Sequence, residues 1–308
     1  MRIGMSLADP AGPEAFTELR DQLRQAADDG FASAWISNIF GLDALTALAV
    51  AGSQVPGIEV GTAVVPTYPR HPAALAQQAL TAALALGGRL ALGIGLSHRL
   101  VIEDMYGQSF ERPARHMSEY LSILLPLLDG AAADFDGETM RAKIGLSVSR
   151  PGRVPVLLAA MAPVMLRLAG ARCDGTVLWM TGPATVRDYI VPAITEAAGA
   201  AGRPAPRVVC ILPVCVTSHL DEARARAARV FAVYGRLPSY RAMLDREGAG
   251  GPEDLAIIGA EDDVAGQVTA LAGAGVTDFV AGEFGRGEDA GRTRALLKSL
   301  IPLTRSIA

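Results

Sequence analysis

Short apolar runs alternate with longer segments of helical periodicity along the chain, and this alternation most restricts how the chain can fold. The apolar runs carry few polar residues, which is typical of parallel strands buried on both faces. Each run precedes a segment in which apolar residues recur every three or four positions, as Phe16, Leu19 and Leu23 do. The predicted strands span residues 2–7, 34–37, 58–65, 90–96, 154–160, 176–180, 208–216 and 278–281.

Eight strand–helix units predict an α/β fold, a single (β/α)8 TIM barrel. An open, doubly wound sheet is the alternative that the same alternation allows. No linker composition interrupts the 308 residues, so one domain over residues 1–308 is predicted. Residues 134–152, with a turn signal at Asp136-Gly137, are predicted to form a hairpin. Residues 236–265 form a second insertion, between strands seven and eight, and we expect insertions at the carboxyl face of the strands.

Composition excludes several classes of protein. The net charge of −4 and the absence of a basic tract argue against a nucleic-acid partner. No apolar run reaches the roughly 18 residues that span a bilayer, and no leader is recognisable, so a cytoplasmic protein without a membrane partner is expected. The three cysteines are too few and too scattered for a disulfide framework or a structural zinc site. No metal is expected.

In a barrel, the carboxyl ends of the strands and the loops after them form the site. These segments hold few acids, bases or nucleophiles, and residues 93–98 miss the dinucleotide fingerprint because His98 stands where its third glycine belongs. They are instead rich in small residues and in helix starts. Met161-Ala162-Pro163 and Thr181-Gly182-Pro183 each open a helix whose free N–H groups could hold a phosphate, although two ordinary helix starts would look the same. Such a rim suits a redox cofactor, which carries the difficult chemistry itself.

Five motifs resemble those of the luciferase-like barrel oxidoreductases. They are Gly-Thr-Ala-Val-Val-Pro-Thr-Tyr-Pro-Arg-His-Pro at 61–72, Leu-Gly-Ile-Gly at 92–95, the helix at 111–121, Val-Leu-Leu-Ala-Ala at 156–160 and Cys-Asp-Gly at 173–175. Within that family the chain is most similar to the branch that uses the deazaflavin coenzyme F420. The resemblance implies a homodimeric enzyme that transfers hydride between the deazaflavin C5 and a small organic substrate. An FMN-dependent relative would instead reduce oxygen and insert one atom into its substrate.

The resemblance also implies where the cofactor lies. A non-proline cis peptide is expected at Ala63-Val64, behind the ring. Residues implied to contact the ring are Asn38, Ala63, Val64, Leu96 and Ser97. Residues implied to offer backbone N–H groups to the phosphate are Ala160, Met161, Ala162, Thr181 and Gly182. Relatives often carry Gly-Gly at 161–162, and the Cβ atoms of Met161 and Ala162 narrow that approach.

The residues implied for catalysis are His98 and Asn38. His98 follows the fourth strand and titrates near neutrality, which suits a proton donor. Sugar-phosphate dehydrogenases of the family carry Asp-His where this chain has Asn38-Ile39, and Ile39 cannot act as a base. Reduction of a C=C or C=N bond is therefore predicted. Candidates for contact with the substrate are Asp9, Tyr68, Trp179 and Glu283, each of which could equally be a packing residue.

Three functions stay open at the level of sequence. The first is the F420-dependent oxidoreductase, and the second is an FMN-dependent monooxygenase of the same fold. The third is a flavin-binding barrel without enzymatic activity, which the scarcity of catalytic side chains keeps open.

Overall fold

Eight parallel strands form a closed ring in the computed structural model, and helices surround that ring. The structure describes the backbone of residues 1–305 and the side chains of residues 1–302. The eight strands pair in chain order, and pairing of Ile211 with Trp179 belongs to the ladder that closes the ring. This architecture confirms the predicted (β/α)8 barrel and excludes the open sheet.

The strands are numbered in chain order. They are β1 (Arg2–Ser6), β2 (Ser33–Ile36), β3 (Glu59–Thr62), β4 (Val65–Pro66), β5 (Leu90–Gly95), β6 (Ala133–Asp136), β7 (Arg141–Ile144), β8 (Val156–Leu158), β9 (Gly175–Trp179), β10 (Arg207–Val216), β11 (Ile257–Gly259) and β12 (Asp278–Glu283). The ring consists of β1, β2, β3, β5, β8, β9, β10 and β12, while β4 pairs with β5 and β11 with β10. The antiparallel pair β6–β7 is the predicted hairpin.

The α-helices are α1 (Ala15–Asp28), α2 (Ala44–Gly52), α3 (Pro72–Ala85), α4 (Pro113–Leu128), α5 (Pro163–Arg172), α6 (Pro183–Thr185), α7 (Val191–Ala200), α8 (Leu220–Val230), α9 (Pro238–Glu247), α10 (Glu261–Gly273) and α11 (Glu288–Arg305). Two π-helical segments, Leu100–Met105 and Val186–Ile190, and two 3-10 turns, Tyr234–Arg236 and Pro252–Leu255, complete the helical structure described. No helix among the described residues is long and apolar enough to cross a membrane.

Two of the predicted elements are wrong in detail. The third strand is not continuous over residues 58–65, because the chain leaves the ladder between Thr62 and Val65. Helical spacing over residues 221–247 predicts a single helix after the seventh strand, but the structure has two, α8 and α9. Proline disfavours helix at the preceding residue, so Leu237 is extended and α9 begins at Pro238. The periodicity also missed β11, inside the second insertion, and α10, which begins there and extends to Gly273.

The barrel interior is filled near its middle. Trp35 is fully buried there with Leu157, Val177, Val209 and Val280, each from a different strand. A Cβ at Gly61 would lie 2.2 Å from the Trp35 ring, so glycine makes room for the indole. The larger core lies between the outer face of the sheet and the helices. Open space inside the ring is therefore restricted to its carboxyl end.

Charged side chains span the amino end of the ring. Arg207 of β10 donates to Glu59 of β3, across the ring, at 2.8 Å and to Asp278 of β12 at 3.0 Å. Arg2 of β1 also binds both carboxylates. Burial would raise the pKa of the Asp278 carboxyl, but Arg207 and Arg2 hold that pKa below its usual value. The four residues form what we call the basal ion cluster.

Candidate active site

A cavity of about 490 Å³ opens at the carboxyl ends of the barrel strands. Every ring strand but β12 contributes to its lining, directly or through the loop that follows. The rim residues are Ser6, Ser37, Asn38, Ala63, Val64, Ser97, His98, Ala159, Ala160, Met161, Val177, Trp179 and Ile211. The structure thus brings together eight of the sequence-predicted residues: Asn38, Ala63, Val64, Ser97, His98, Ala160, Met161 and Trp179.

The floor of the cavity is the segment between β3 and β4. Its Ala63–Val64 peptide bond is cis, which confirms the bond expected from the resemblance. Neighbouring glycines of β5 let this segment approach closely: a Cβ at Gly93 would lie 1.9 Å from the Thr62 carbonyl oxygen, and one at Gly95 would lie 2.7 Å from Val64 Cγ2. Ala63 and Val64 therefore present an apolar surface to the cavity.

Asn38 is held by the helix that follows it. Its Oδ1 accepts the Ala44 N–H at 3.0 Å, while Asp43, the N-cap of α2, accepts the Thr46 N–H at 2.9 Å. Because a backbone N–H can only donate, the oxygen of the Asn38 amide must face Ala44. The Nδ2 donors of Asn38 are therefore available to the cavity that this residue lines.

His98 lines the cavity and follows Ser97, whose φ of 62° turns the chain after β5. Burial lowers the pKa of the His98 imidazole, so at neutral pH the ring is mostly uncharged. No residue that the structure describes hydrogen-bonds to its ring nitrogens. The Tyr240 ring centroid is 5.7 Å away. A neutral imidazole here could give or take a proton from a bound molecule.

The start of α5 is open. Its N-cap is Ala162, which has no side-chain acceptor, and Ala162, Pro163 and Val164 are exposed. Tyr189 donates its hydroxyl to the Met161 carbonyl at 3.0 Å, and Arg246 lies 3.9 Å from the centre of the Tyr189 ring. Uncapped N–H groups, the positive end of the helix dipole and a nearby arginine together favour an anion at this end of the cavity.

The start of α6 is closed. The Glu247 carboxylate accepts the N–H groups of Ala184 at 3.0 Å and of Thr185 at 2.7 Å. Thr181 and Gly182, the other predicted phosphate residues, are buried and do not line the cavity. A carboxylate already bound at this helix start opposes a phosphate there, so the structure does not support this half of the predicted phosphate site.

Five other predicted residues also lie outside the cavity lining. Leu96 packs against the core, and Ala162 belongs to the open helix start beside the cavity. Asp9 accepts the Leu42 N–H at 3.3 Å and so braces the loop after β2. Glu283 is bound to Arg294 at 3.2 Å, and burial raises the pKa of the Glu283 carboxyl. Tyr68 stacks on His116 instead of facing the cavity.

Two segments that line the cavity were not predicted from the sequence. The π-helical segment after His98 contributes Leu100, Val101 and Met105, followed by Tyr106. The segment between α8 and α9 contributes Val233, Tyr234, Leu237 and Tyr240. A pair of tyrosines beside a proline in the long seventh unit is the one sequence signal that could have marked the second segment. Nothing in the local pattern placed it over the barrel.

Among the residues that the structure describes, no group of three His, Cys, Asp or Glu residues could hold a metal ion. The three cysteines are buried and unpaired with one another. Burial raises the pKa of the Cys173 and Cys210 thiols to about 12, which leaves them unreactive.

Comparison with known proteins identifies the class to which this fold and site belong. The model of the luciferase-like monooxygenase family matches residues 1–278, and the chain belongs to this family. This confirms the resemblance stated from the motifs.

The sequence identity to individual relatives is below 30% in the following three examples. The chain is 29% identical over 307 residues to a 5,10-methylenetetrahydromethanopterin reductase of Archaeoglobus fulgidus, covering 87% of this chain and 90% of the relative. It is 27% identical over 251 residues to an F420-dependent glucose-6-phosphate dehydrogenase of Mycolicibacterium fortuitum, covering 78% and 71%. The coenzyme F420-dependent tetrahydromethanopterin reductase of Methanopyrus kandleri has the same fold, with a TM-score of 0.82, 20% identity and 98% of both chains covered.

Proposed function

We propose that the chain is an oxidoreductase that uses coenzyme F420 and transfers hydride between the deazaflavin C5 and a small organic substrate. Reduction of a C=C or C=N bond is the proposed reaction. One observation carries the proposal: Ala63 and Val64 line the same cavity as Met161, which directly precedes the open start of α5 at Ala162. Relatives named as F420-dependent enzymes support it.

The residues present fit such a cofactor. The ring would lie on Ala63 and Val64, with the Nδ2 donors of Asn38 and the Ser97 segment at its edges. The phosphate would meet backbone N–H groups at the start of α5. Leu96, Thr181 and Gly182 are no longer part of the proposed site, for the reasons given above. When bound, the deazaflavin would supply the hydride chemistry, and it is an obligate hydride carrier.

The residues of the protein would bind and orient the cofactor and the substrate, and would transfer a proton. Apolar walls at Val177, Trp179 and Ile211 exclude water from the deep end of the cavity. His98 is the proposed proton donor, since it lines the cavity and no described residue hydrogen-bonds to its ring nitrogens. Tyr240 lines the same cavity, with its ring centroid 5.7 Å from that of His98. Ile39, which follows Asn38, lines the cavity without offering a base.

Titration with the two cofactors tests the proposal. We expect quenching of F420 fluorescence at low micromolar protein, with no comparable response to FMN. Tight FMN binding accompanied by oxygen consumption would contradict the proposal and select an FMN-dependent monooxygenase. Binding of F420 without turnover over a panel of unsaturated ketones, esters and imines would leave only a binding protein.

The open start of α5 allows a sharper test. Ala162→Asp places a carboxylate at the N-cap, where Asp stabilises a helix by about 0.5–2 kcal/mol relative to Ala. We expect the variant to be at least as stable as the wild type but to bind F420 more weakly by tenfold or more, because the carboxylate takes the phosphate's place. Ala162→Gly is the matched control without the charge. Unchanged F420 affinity in Ala162→Asp would place the phosphate elsewhere.

A homodimer and a cytoplasmic location stay predictions from the sequence. Light scattering in solution tests the first.

A further inference from the structure

The cavity lining carries no formal charge. Among the residues that the structure describes, none of those lining it is Asp, Glu, Lys or Arg. Its polar groups are the Asn38 amide, serine and tyrosine hydroxyls, the Trp179 indole and the His98 imidazole, which burial keeps neutral. The charged residues nearest in the chain lie outside the lining: Arg99 binds Glu103 at 2.6 Å. Away from the open start of α5, an anion in this cavity would lose its hydration without gaining a countercharge.

The opening of the cavity is apolar and exposed. Six large apolar side chains that line it are between 42% and 64% exposed. They are Ile39, Phe40, Leu100, Met105, Tyr106 and Val233, and together they form what we call the apolar mouth. They come from three separate segments of the chain that converge on one cavity. Contiguous exposed apolar surface of this kind usually marks a binding site.

The polar donors lie inward of the mouth. The side chains of His98 and Tyr240 are half-buried, whereas those of the apolar mouth are exposed. The two rings are 5.7 Å apart between centroids. A ligand can therefore place a polar atom at His98 and Tyr240 while its apolar part extends outward over the mouth.

We propose that the substrate is an uncharged molecule with an extended apolar body, an inference that rests on the function proposed above. The body lies on the apolar mouth, and the reacting, polar end reaches His98 and Tyr240. Carboxylates and phosphate esters are rejected at His98, Tyr240 and the mouth, because no cation lines this part of the cavity. This assigns a substrate class and not only a bond type.

Binding of matched neutral and anionic ligands tests the inference without the cofactor. The probes are the methyl esters of trans-2-alkenoic acids of six to ten carbons and the corresponding free acids, at pH 8. The chain has two tryptophans. Trp35 is fully buried in the barrel interior whereas Trp179 lines the cavity, so a change in tryptophan fluorescence reports binding there. We expect ester affinity to rise up to about fourfold per added methylene, and each acid to bind at least tenfold more weakly than its ester.

Three variants localise the effect. Phe40→Ser should weaken binding of the ten-carbon ester by about tenfold and of the six-carbon ester much less, because only the longer chain reaches the mouth. Met105→Lys should bring the acids to or above the affinity of their esters. Val50→Ser, at an exposed position of α2 outside the cavity, is the control and should change neither affinity.

Acids that bind as tightly as their esters to the wild type would overturn the inference. So would a Phe40→Ser variant with wild-type ester affinity but a changed oligomeric state, since the mouth would then be an interface between two copies. F420 affinity is measured separately by its own fluorescence. Ester binding without F420 binding would reject the proposed function and leave the ligand class standing.

Discussion

Glu247 and Thr185 are 62 residues apart in the chain, and the carboxylate of the first accepts the backbone N–H of the second at 2.7 Å. Glu247 is the last residue of α9, which belongs to the long insertion. The contact therefore anchors that insertion to the rim of the barrel beside the cavity. It also occupies a helix start that the sequence suggested for a phosphate.

Replacing Glu247 tests the anchoring. Glu247→Ala leaves the N–H groups of Ala184 and Thr185 without their acceptor, and we expect the free energy of unfolding to fall by about 1–2 kcal/mol. F420 affinity should stay within about twofold, because the phosphate is proposed at α5. Urea denaturation and F420 titration measure the two effects, with exposed Glu196→Ala as the control. A large loss of F420 affinity at unchanged stability would instead indicate that the cofactor phosphate binds at the start of α6.

Asn38 offers a substitution that separates structure from function. Asn38→Asp retains the oxygen that accepts the Ala44 N–H, so we expect unfolding in urea to change little. The change removes the Nδ2 donors from the cavity and adds a negative charge. We expect kcat/KM to fall by roughly ten- to a hundredfold. A variant that loses stability but keeps its activity would reduce Asn38 to a capping residue of α2.

The role of His98 predicts a pH dependence of the reaction. Burial lowers the pKa of its imidazole, so the protonated, donating form is populated only toward acid pH. In the reductive direction, kcat should rise as the pH falls through that lowered pKa and then level off. His98→Gln should lose this dependence and about a hundredfold in kcat while binding F420 normally. An unchanged pH profile in the variant would assign the proton to another group, Tyr240 being the next to test.

His116 predicts a pH dependence of stability instead of activity. Its ring is buried against Tyr68, with centroids 3.8 Å apart, and lies 3.1 Å from the Thr67 hydroxyl. Burial lowers the pKa of His116 from 6.5 to about 4. Between these values the unfolded chain binds a proton that the folded chain does not, so stability falls as the pH is lowered from about 6.5 toward 4.

The integrated effect amounts to about 3 kcal/mol at full extent. Denaturation series at pH 7 and pH 4.5 should show a smaller difference in His116→Gln than in the wild type. His219→Gln, at an exposed histidine, is the matched control. Equal pH sensitivity of His116→Gln and the wild type would contradict this assignment.

Periodicity recovered the barrel because each strand is short, apolar and followed by an amphipathic helix. It failed where backbone geometry overrides pattern. The pattern predicts one strand over residues 58–65 because Ala63 and Val64 are as apolar as their neighbours, yet these two residues lie outside the ladder. The periodicity also failed between Val230 and Pro238. Helical spacing continues there although the structure has two separate helices, and the proline is the one residue in the sequence that indicates the break.

The site was predictable where it depends on the order of residues at strand ends. Asn38, Ser97 and His98 line the cavity because they follow barrel strands directly. Long-range contacts were not predictable. The chain does not reveal locally that Glu247 will reach α6, nor that Tyr240 will lie over His98, because both depend on how a long insertion folds back across the barrel.

The basal ion cluster determines how ligands can enter and leave the barrel. Arg207 and Glu59 bridge opposite sides of the ring at its amino end, and Trp35 fills the layer above them. The barrel is thus closed at its amino end, and any ligand must enter and leave through its carboxyl end. Under the proposed function, the coenzyme and the substrate would therefore share one entrance, at the carboxyl ends of the strands.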